Sequence, residues 1–371
     1  MQKIKVLHII KSLGRGGAEV LLAETLKLHD QSQFDFHCIY FLPWKDQMVE
    51  DIENAGGRVS CFSSNNNLQM LVQYKKVIKY CKEEKIDIIH CHLPWSGFLG
   101  RMIYAQTEIP VIYTEHNIQE HYHKITKRLN KLSFNFQSRA IGVSADVTRS
   151  IKENINPHIP VETILNGVNT EAYCRDKDKG NAIRKKYGIP LNATVIGSIA
   201  VFRVQKSIPD WIKAFKKASD KHPDIYGIVV GAGPQKEEVE QMVQDLDLID
   251  KVILPGLQTN TVDYFSAMDI YMMSSTFEGL PVALLEAMSM KCAIISTRAG
   301  GVVEVVRDNE DGKLSDVGDY EDLANHIDFF AADRSQIYKF QNAARQRVKE
   351  AFSLQNMVNS LEATYQKHIN S

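Results

Sequence analysis

Two carboxylates eight positions apart, Glu278 and Glu286, bracket a run of Gly, Leu, Pro and apolar residues that otherwise looks built for burial. The preceding run DIYMMSS reads as a strand ending near Ser275, and Pro281 suits the first residue of a helix. The backbone N–H groups of 280–283, except at Pro281, which has none, then point out of the helix start and suit phosphate oxygens, so Gly279, Leu280, Pro281 and Val282 are candidates to line the anion. Glu286 then lies about 7.5 Å along the helix axis, with its side chain leaning back toward the amino end. That is roughly the reach from a diphosphate to the ribose of the same nucleotide, by the same helix rise. A sugar diphosphate nucleotide therefore accounts for both charges: Glu286 accepts ribose hydroxyls and Glu278 accepts hydroxyls of the sugar. The plain alternative is a helix-start carboxylate followed by a surface residue of an amphipathic helix.

Other candidates carry less weight alone. Gly14, Gly16 and Gly17 follow the strand-like VLHII and open a helix at Ala18, where glycine lets backbone amides approach an anion closely. A dinucleotide fingerprint needs a third glycine at position 19, which is Glu19; after Gly231 and Gly233 the corresponding place is Lys236. Both departures argue against a nicotinamide cofactor, and a tight strand-to-helix turn explains either loop equally simply. His116 follows the strand-like IPVIYT at its carboxyl edge; taken by itself, such a His is more often structural. His90 and His92 share one strand face and Cys91 takes the other. Two ligands make a poor metal site, so packing and acceptor-side hydrogen bonding are the expected uses.

These residues need elements to position them. Strand-like runs occur at IKVLHII, FDFHCIY, GRVSCF, IDIIHCH, IPVIYT, AIGVS and VETIL, separated by amphipathic segments. After the polar stretch NTEAYCRDKDKGNAIRKKYGIP the alternation restarts with ATVIGSIA, IYGIVVGAG, KVILPG, DIYMMSS, CAIIST and GKLSD. Apolar strands alternating with helices predict parallel sheets covered on both faces. Two such series in 371 residues predict two doubly wound α/β domains, with the cleft between them as the default ligand site. Residues from about 319 onward read as wholly helical. No apolar run reaches the ~20 residues of a membrane helix. The six cysteines are scattered without a C-x-x-C pair, so neither disulfides nor zinc are indicated, and a reducing cytoplasm fits. A net charge of −1 argues against nucleic acid as a partner, although positive charge is biased to the amino-terminal half.

The segment TFEGLPVALLEAMSMKCAIISTRAGGVVEVV resembles the donor-binding signature of glycosyltransferase family 4 (group 1), retaining enzymes of the GT-B fold. The likeness includes the two glutamates with seven residues between them and the downstream Gly300, Gly301 and Glu304. LGRGGAE (13–19) is similar to the family's first phosphate-facing loop, TEHN (114–117) to its active-site His segment, ILNGVN (164–169) to its interdomain motif and GAGP (231–234) to its second glycine loop. Any one of these is weak, but their common order along nearly the whole chain is specific.

The resemblance implies two Rossmann-like domains: 1–170 on the acceptor side, with a terminal helix 353–371 crossing back to it, then a linker at 171–190 and a donor domain at 191–352. It implies a nucleoside-diphosphate sugar donor, UDP before GDP, and a saccharide or lipid-linked acceptor, as in surface polysaccharide assembly. Transfer would proceed with retention and without metal or other cofactor. The leaving phosphate would help deprotonate the acceptor, and His116 would face the donor sugar. Gly16, Gly17, Gly231 and Gly233 would approach the donor, and the base would lie near PGLQ, at Gly256 and Leu257. The family usually supplies an Arg and a Lys five apart to the leaving diphosphate. Here Lys206 aligns with the Lys but Val201 holds the Arg position, so Arg203 is expected to substitute. Asn169, where the family has Asp, is a smaller departure.

In 121–139, Ile125, Leu129, Leu132 and Phe136 fall on one helical stripe beside Lys124, Lys127, Arg128 and Lys131. Such a helix either docks on an anionic membrane, giving a cytoplasmic protein peripheral at the inner face, or packs its stripe on the sheet as an ordinary surface helix. Two rival functions remain open: a sugar-nucleotide epimerase of the same fold, and a scaffold weakened in catalysis by Val201.

Overall fold

The computed structural model describes residues 3–369, which divide into two compact units. The first comprises residues up to 167 together with those from 354 on; the second is 168–353. Residues 171–190, read from the sequence as a linker, belong to the second unit. Their helix Lys177–Lys186 is fixed there by the guanidinium of Arg184, which donates to the Ala267 carbonyl (2.8 Å) and to Asp269 (2.8 Å).

In the first unit seven strands form one parallel sheet: β1 (Ile4–Ile9), β2 (Phe34–Tyr40), β3 (Arg58–Cys61), β4 (Ile88–His92), β5 (Val111–Glu115), β6 (Arg139–Gly142) and β7 (Val161–Thr163). Their order is β3-β2-β1-β4-β5-β6-β7. β4 and β5 are buried along their whole length, the mark of strands covered on both faces. The helix Leu354–Ile369 completes this unit, because Leu361 and Tyr365 lie in the same apolar core as Leu22, Phe34, Phe36 and Ile88.

The second unit has six parallel strands: β8 (Thr194–Ile199), β9 (Ile225–Val230), β10 (Val252–Ile253), β11 (Ile270–Met273), β12 (Ala293–Thr297) and β13 (Lys313–Ser315), in the order β10-β9-β8-β11-β12-β13. Its core gathers Trp211, Ile212 and Phe215 from the helix Ile208–Ser219 with Ile196, Val229, Ile270 and Ile295 of the strands. Each run read as a strand contains one, and the region after 319 folds as the helices Tyr320–Ala332, Arg334–Ala351 and Leu354–Ile369.

Strand order reverses between β1 and β4 in one unit and between β8 and β11 in the other. In open parallel sheets the carboxyl ends of the strands at such a reversal form a crevice suited to ligands. The candidate residues cluster at these two places.

Candidate active site

In the second unit, the segment after β8 and the segment after β11 are bound into one structure. Lys206 sits on a short 3-10 turn, Val204–Lys206, and its Nζ donates to Glu278 Oε1 at 2.5 Å. The same oxygen accepts from Ser275 Oγ at 2.6 Å. Gln205 clamps the two loops: its side chain donates to the Phe277 carbonyl (2.9 Å) and its carbonyl accepts from the Thr276 N–H (2.8 Å). Glu278 is nearly fully buried, so its charge relies on this cation and hydroxyl.

The helix after the loop runs Val282–Ser289, with Pro281 at the capping position rather than inside the first turn. This shift of one residue leaves the amides of Val282 onward at the helix start. Glu286 faces inward from the helix and is buried. Burial, and next the charges of Glu278 and Glu286, push the Tyr271 phenol of β11 well up. Gly279, Leu280, Pro281 and Val282 therefore lie on the chain between two buried acids. Gly301 fits here only as glycine: a Cβ would stand 1.8 Å from the Gly279 carbonyl oxygen, and its N–H donates to the Glu278 carbonyl at 3.2 Å.

Arg203, in extended backbone before the turn, is exposed, and among the described residues its side chain pairs with no carboxylate. Lys206, by contrast, is already paired with Glu278. Gly231 adopts φ +143 and would place a Cβ 1.8 Å from the Ala200 carbonyl oxygen, and a Cβ on Gly233 would stand 2.5 Å from the Phe202 carbonyl oxygen. Both glycines thus serve close packing against the segment after β8. The Gly231 N–H donates to the Gly256 carbonyl (3.0 Å), which draws Gly256 to the same sheet edge, while neighbouring Leu257 is exposed.

The remaining candidates belong to the first unit. Gly16 caps the helix Gly17–Leu26, but the Glu19 carboxylate folds back over it; a Cβ on Gly16 would lie 2.4 Å from Glu19 Oε2. Ser12 Oγ holds the other oxygen at 3.2 Å. An anion approaching Gly16 and Gly17 has to displace this side chain, since a helix start already bearing a carboxylate has its positive end satisfied.

His116 follows β5, and its Nε2 is buried without a hydrogen-bond partner among the described residues. Burial lowers its imidazole to about 4, so it is neutral near pH 7. Its backbone is held by Glu115, a fully buried carboxylate. Glu115 Oε1 accepts from the N–H groups of His116 (3.0 Å) and Asn117 (3.3 Å) and from Tyr122 Oη (2.5 Å); Oε2 accepts from Tyr113 Oη (2.7 Å) and Gln119 Nε2 (2.7 Å). Burial raises the Glu115 carboxyl despite these five donors.

His90 and His92 do share one face of β4, and His8 of β1 joins them in register with His90. His8 Nδ1 meets His92 Nε2 at 3.0 Å. Both ring nitrogens of His90 are engaged, by Tyr365 Oη (2.7 Å) and Thr114 Oγ1 (2.7 Å). The three are close enough to bind one metal ion. His8 Nδ1 and His92 Nε2 pair with each other and both His90 nitrogens meet hydroxyls, whereas His8 Nε2 and His92 Nδ1 are buried without a partner among the described residues; burial drives all three pKa values down, His90 to about 3. The sequence pairing of His90 and His92 missed His8, whose signal was its place on the neighbouring strand. It also missed Glu115, beside His116, and Ser275 and Gln205.

Comparison with known proteins follows the same division of the chain. The family model described as Glycosyltransferase Family 4 matches residues 15–172, and that described as Glycosyl transferases group 1 matches residues 180–347. N-acetyl-alpha-D-glucosaminyl L-malate synthase of Bacillus anthracis is 26% identical over 297 residues, 78% of this chain and 77% of that protein. UDP-Gal:alpha-D-GlcNAc-diphosphoundecaprenol alpha-1,3-galactosyltransferase of Escherichia coli is 24% identical over 379 residues, 98% of this chain and 97% of that protein. Among solved structures, Anabaena HepE in complex with UDP and glucose has the same fold, with a TM-score of 0.87 at 20% identity over 98% of this chain and 100% of that one.

Proposed function

We propose that this chain, which belongs to glycosyltransferase family 4 (group 1) and has the GT-B fold, transfers a hexose-type sugar from a nucleoside-diphosphate sugar to a saccharide or lipid-linked saccharide. The observation that carries this reading is the Lys206–Glu278 pair, 2.5 Å long, at the strand reversal of the second unit. UDP is the preferred nucleotide, because the Escherichia coli relative is named for UDP-Gal and the Anabaena structure holds UDP. Surface polysaccharide or glycoconjugate assembly is the proposed setting, in the cytoplasm or at the inner face of the membrane.

In this reading Glu286 accepts the ribose hydroxyls. The amides after Pro281, with Arg203 and Lys206, hold the diphosphate and stabilise the charge that develops as it leaves. Lys206 would serve two anions, keeping Glu278 oriented toward the sugar hydroxyls. His116 is neutral and so acts by hydrogen bonding to a sugar hydroxyl, not as a cation. Transfer with retention and without a metal ion is part of the proposal: the leaving phosphate takes the acceptor proton, so no side-chain nucleophile is required.

Calorimetric titration with UDP, GDP and ADP tests the reading. One nucleotide should bind, and Glu286→Ala should weaken it about tenfold or more, the loss of a charge-assisted hydrogen-bond pair. Folded protein that binds none of the three at millimolar concentration would refute the transferase assignment.

A further inference from the structure

The helix Lys124–Ser133 is oriented opposite to an ordinary surface helix. Its fully buried residues, with those of the turn that follows, are Asn130, Phe134 and Gln137. Asn130 Oδ1 and Gln137 Oε1 both accept from the guanidinium of Arg101 (2.7 and 2.9 Å), which lies among the rings of Phe98, Tyr113 and Phe134. Asn130 Nδ2 also donates to Gln119 Oε1 at 2.8 Å. This inward network leaves the apolar stripe facing out: Ile125 is 62% exposed, Leu129 40%, Leu132 70% and Phe136 53%. The sheet-packed alternative for this stripe is therefore excluded by the fold of the first unit.

Four large apolar side chains in solvent, on one face of one short segment, mark an interaction surface. Its flanks narrow the choice of partner. Lys124, Arg128 and Lys131 are exposed beside the stripe, and residues 121–139 contain no Asp or Glu. A two-fold contact with a second copy would set these cations against their own counterparts. An anionic bilayer instead accepts the stripe at the boundary of headgroup and acyl chains and the cations among the headgroups.

We infer that the helix Lys124–Ser133 with Phe136 is a docking surface for an anionic lipid bilayer, lying in the plane of the membrane. The inference rests on the first unit alone and does not require the proposed donor chemistry. It gives that chemistry a location: an acceptor carried on lipid would be met at the surface where it resides. Asn130 leads through Gln119 to Glu115, which holds the backbone of His116, so the docked helix and that segment share one polar network.

Co-sedimentation of the full chain with vesicles of phosphatidylglycerol and phosphatidylcholine, against vesicles of phosphatidylcholine alone, tests it. Binding is expected to the anionic vesicles only and to weaken with added salt. Ile125→Ser combined with Leu132→Ser, and separately Arg128→Glu combined with Lys131→Glu, should each lower the bound fraction about tenfold or more. A calorimetric transition of the first unit like that of the wild type would certify that these variants fold. If the wild type binds neither kind of vesicle, or if both variants bind like it, the inference fails. It fails equally if sedimentation velocity shows a dimer that Ile125→Ser with Leu132→Ser abolishes. A wild type that binds vesicles but no nucleotide would remove the donor chemistry and leave the docking surface standing.

Discussion

Four imidazoles at the carboxyl ends of β1, β4 and β5 make the first unit sensitive to acid. His8, His90, His92 and His116 are all lowered by burial, His116 to about 4 and His90 to about 3, whereas a His in the unfolded chain titrates near 6.5. Between those values the unfolded chain binds more protons, so stability is full above about pH 6.5 and declines as the pH falls. His90 and His116 each cost on the order of 2 kcal/mol by pH 5, and His8 and His92 act in the same direction. The raised carboxyl of Glu115 acts in the opposite sense, one group against four. The urea midpoint should therefore drop steeply from pH 7.5 to pH 5, and a flat profile would show that these imidazoles are solvated. His90 and His92 were legible from sequence as two side chains on one face. Their neutrality was not, because desolvation depends on the helix from Leu354 that covers them with Tyr365.

At the scale of elements, the loop between β11 and the helix Val282–Ser289 is shaped by what it touches. The Gly301 N–H supports the Glu278 carbonyl, and the Gly279 carbonyl leaves no room for a side chain at 301. Gly301→Ala should therefore move the loop, lowering nucleoside-diphosphate affinity about tenfold while costing on the order of 1–3 kcal/mol, as overpacking does. Calorimetry paired with thermal unfolding checks both; unchanged affinity would mean that this loop does not hold the nucleotide. The spacing of Gly300, Gly301 and Glu304 suggested importance, but the reason is a backbone contact from another part of the chain. The segment 121–139 shows the reverse case. Its stripe was plain in the sequence, and which way it faced was decided by Arg101, distant in sequence.

At the scale of the molecule, the chain leaves the first unit at 167 and returns to it at 354. Removing residues 354–371 takes Leu361 and Tyr365 out of the first unit's core. Two such side chains are worth about 3–6 kcal/mol, a large part of the stability of a domain. The truncated chain should show, by calorimetry, a first-unit transition that is lowered or lost, while the second unit still unfolds cooperatively. Two unaltered transitions would mean that the helix contributes little.

The local order of apolar strands and helices was sufficient in the sequence to determine two parallel α/β units and all the strands, since periodicity and turn residues act over a few positions. The eight-position spacing from the loop before a helix into that helix likewise paired Glu278 with Glu286. What tertiary structure decided is what lies opposite each residue. It placed Ser275 and Lys206 on Glu278, Glu19 over Gly16, Tyr365 on His90, and the stripe of the helix Lys124–Ser133 in solvent. These depend on which distant segments meet once the sheets close, and their energies arise from burial and hydrogen bonding across that meeting, which no local pattern contains.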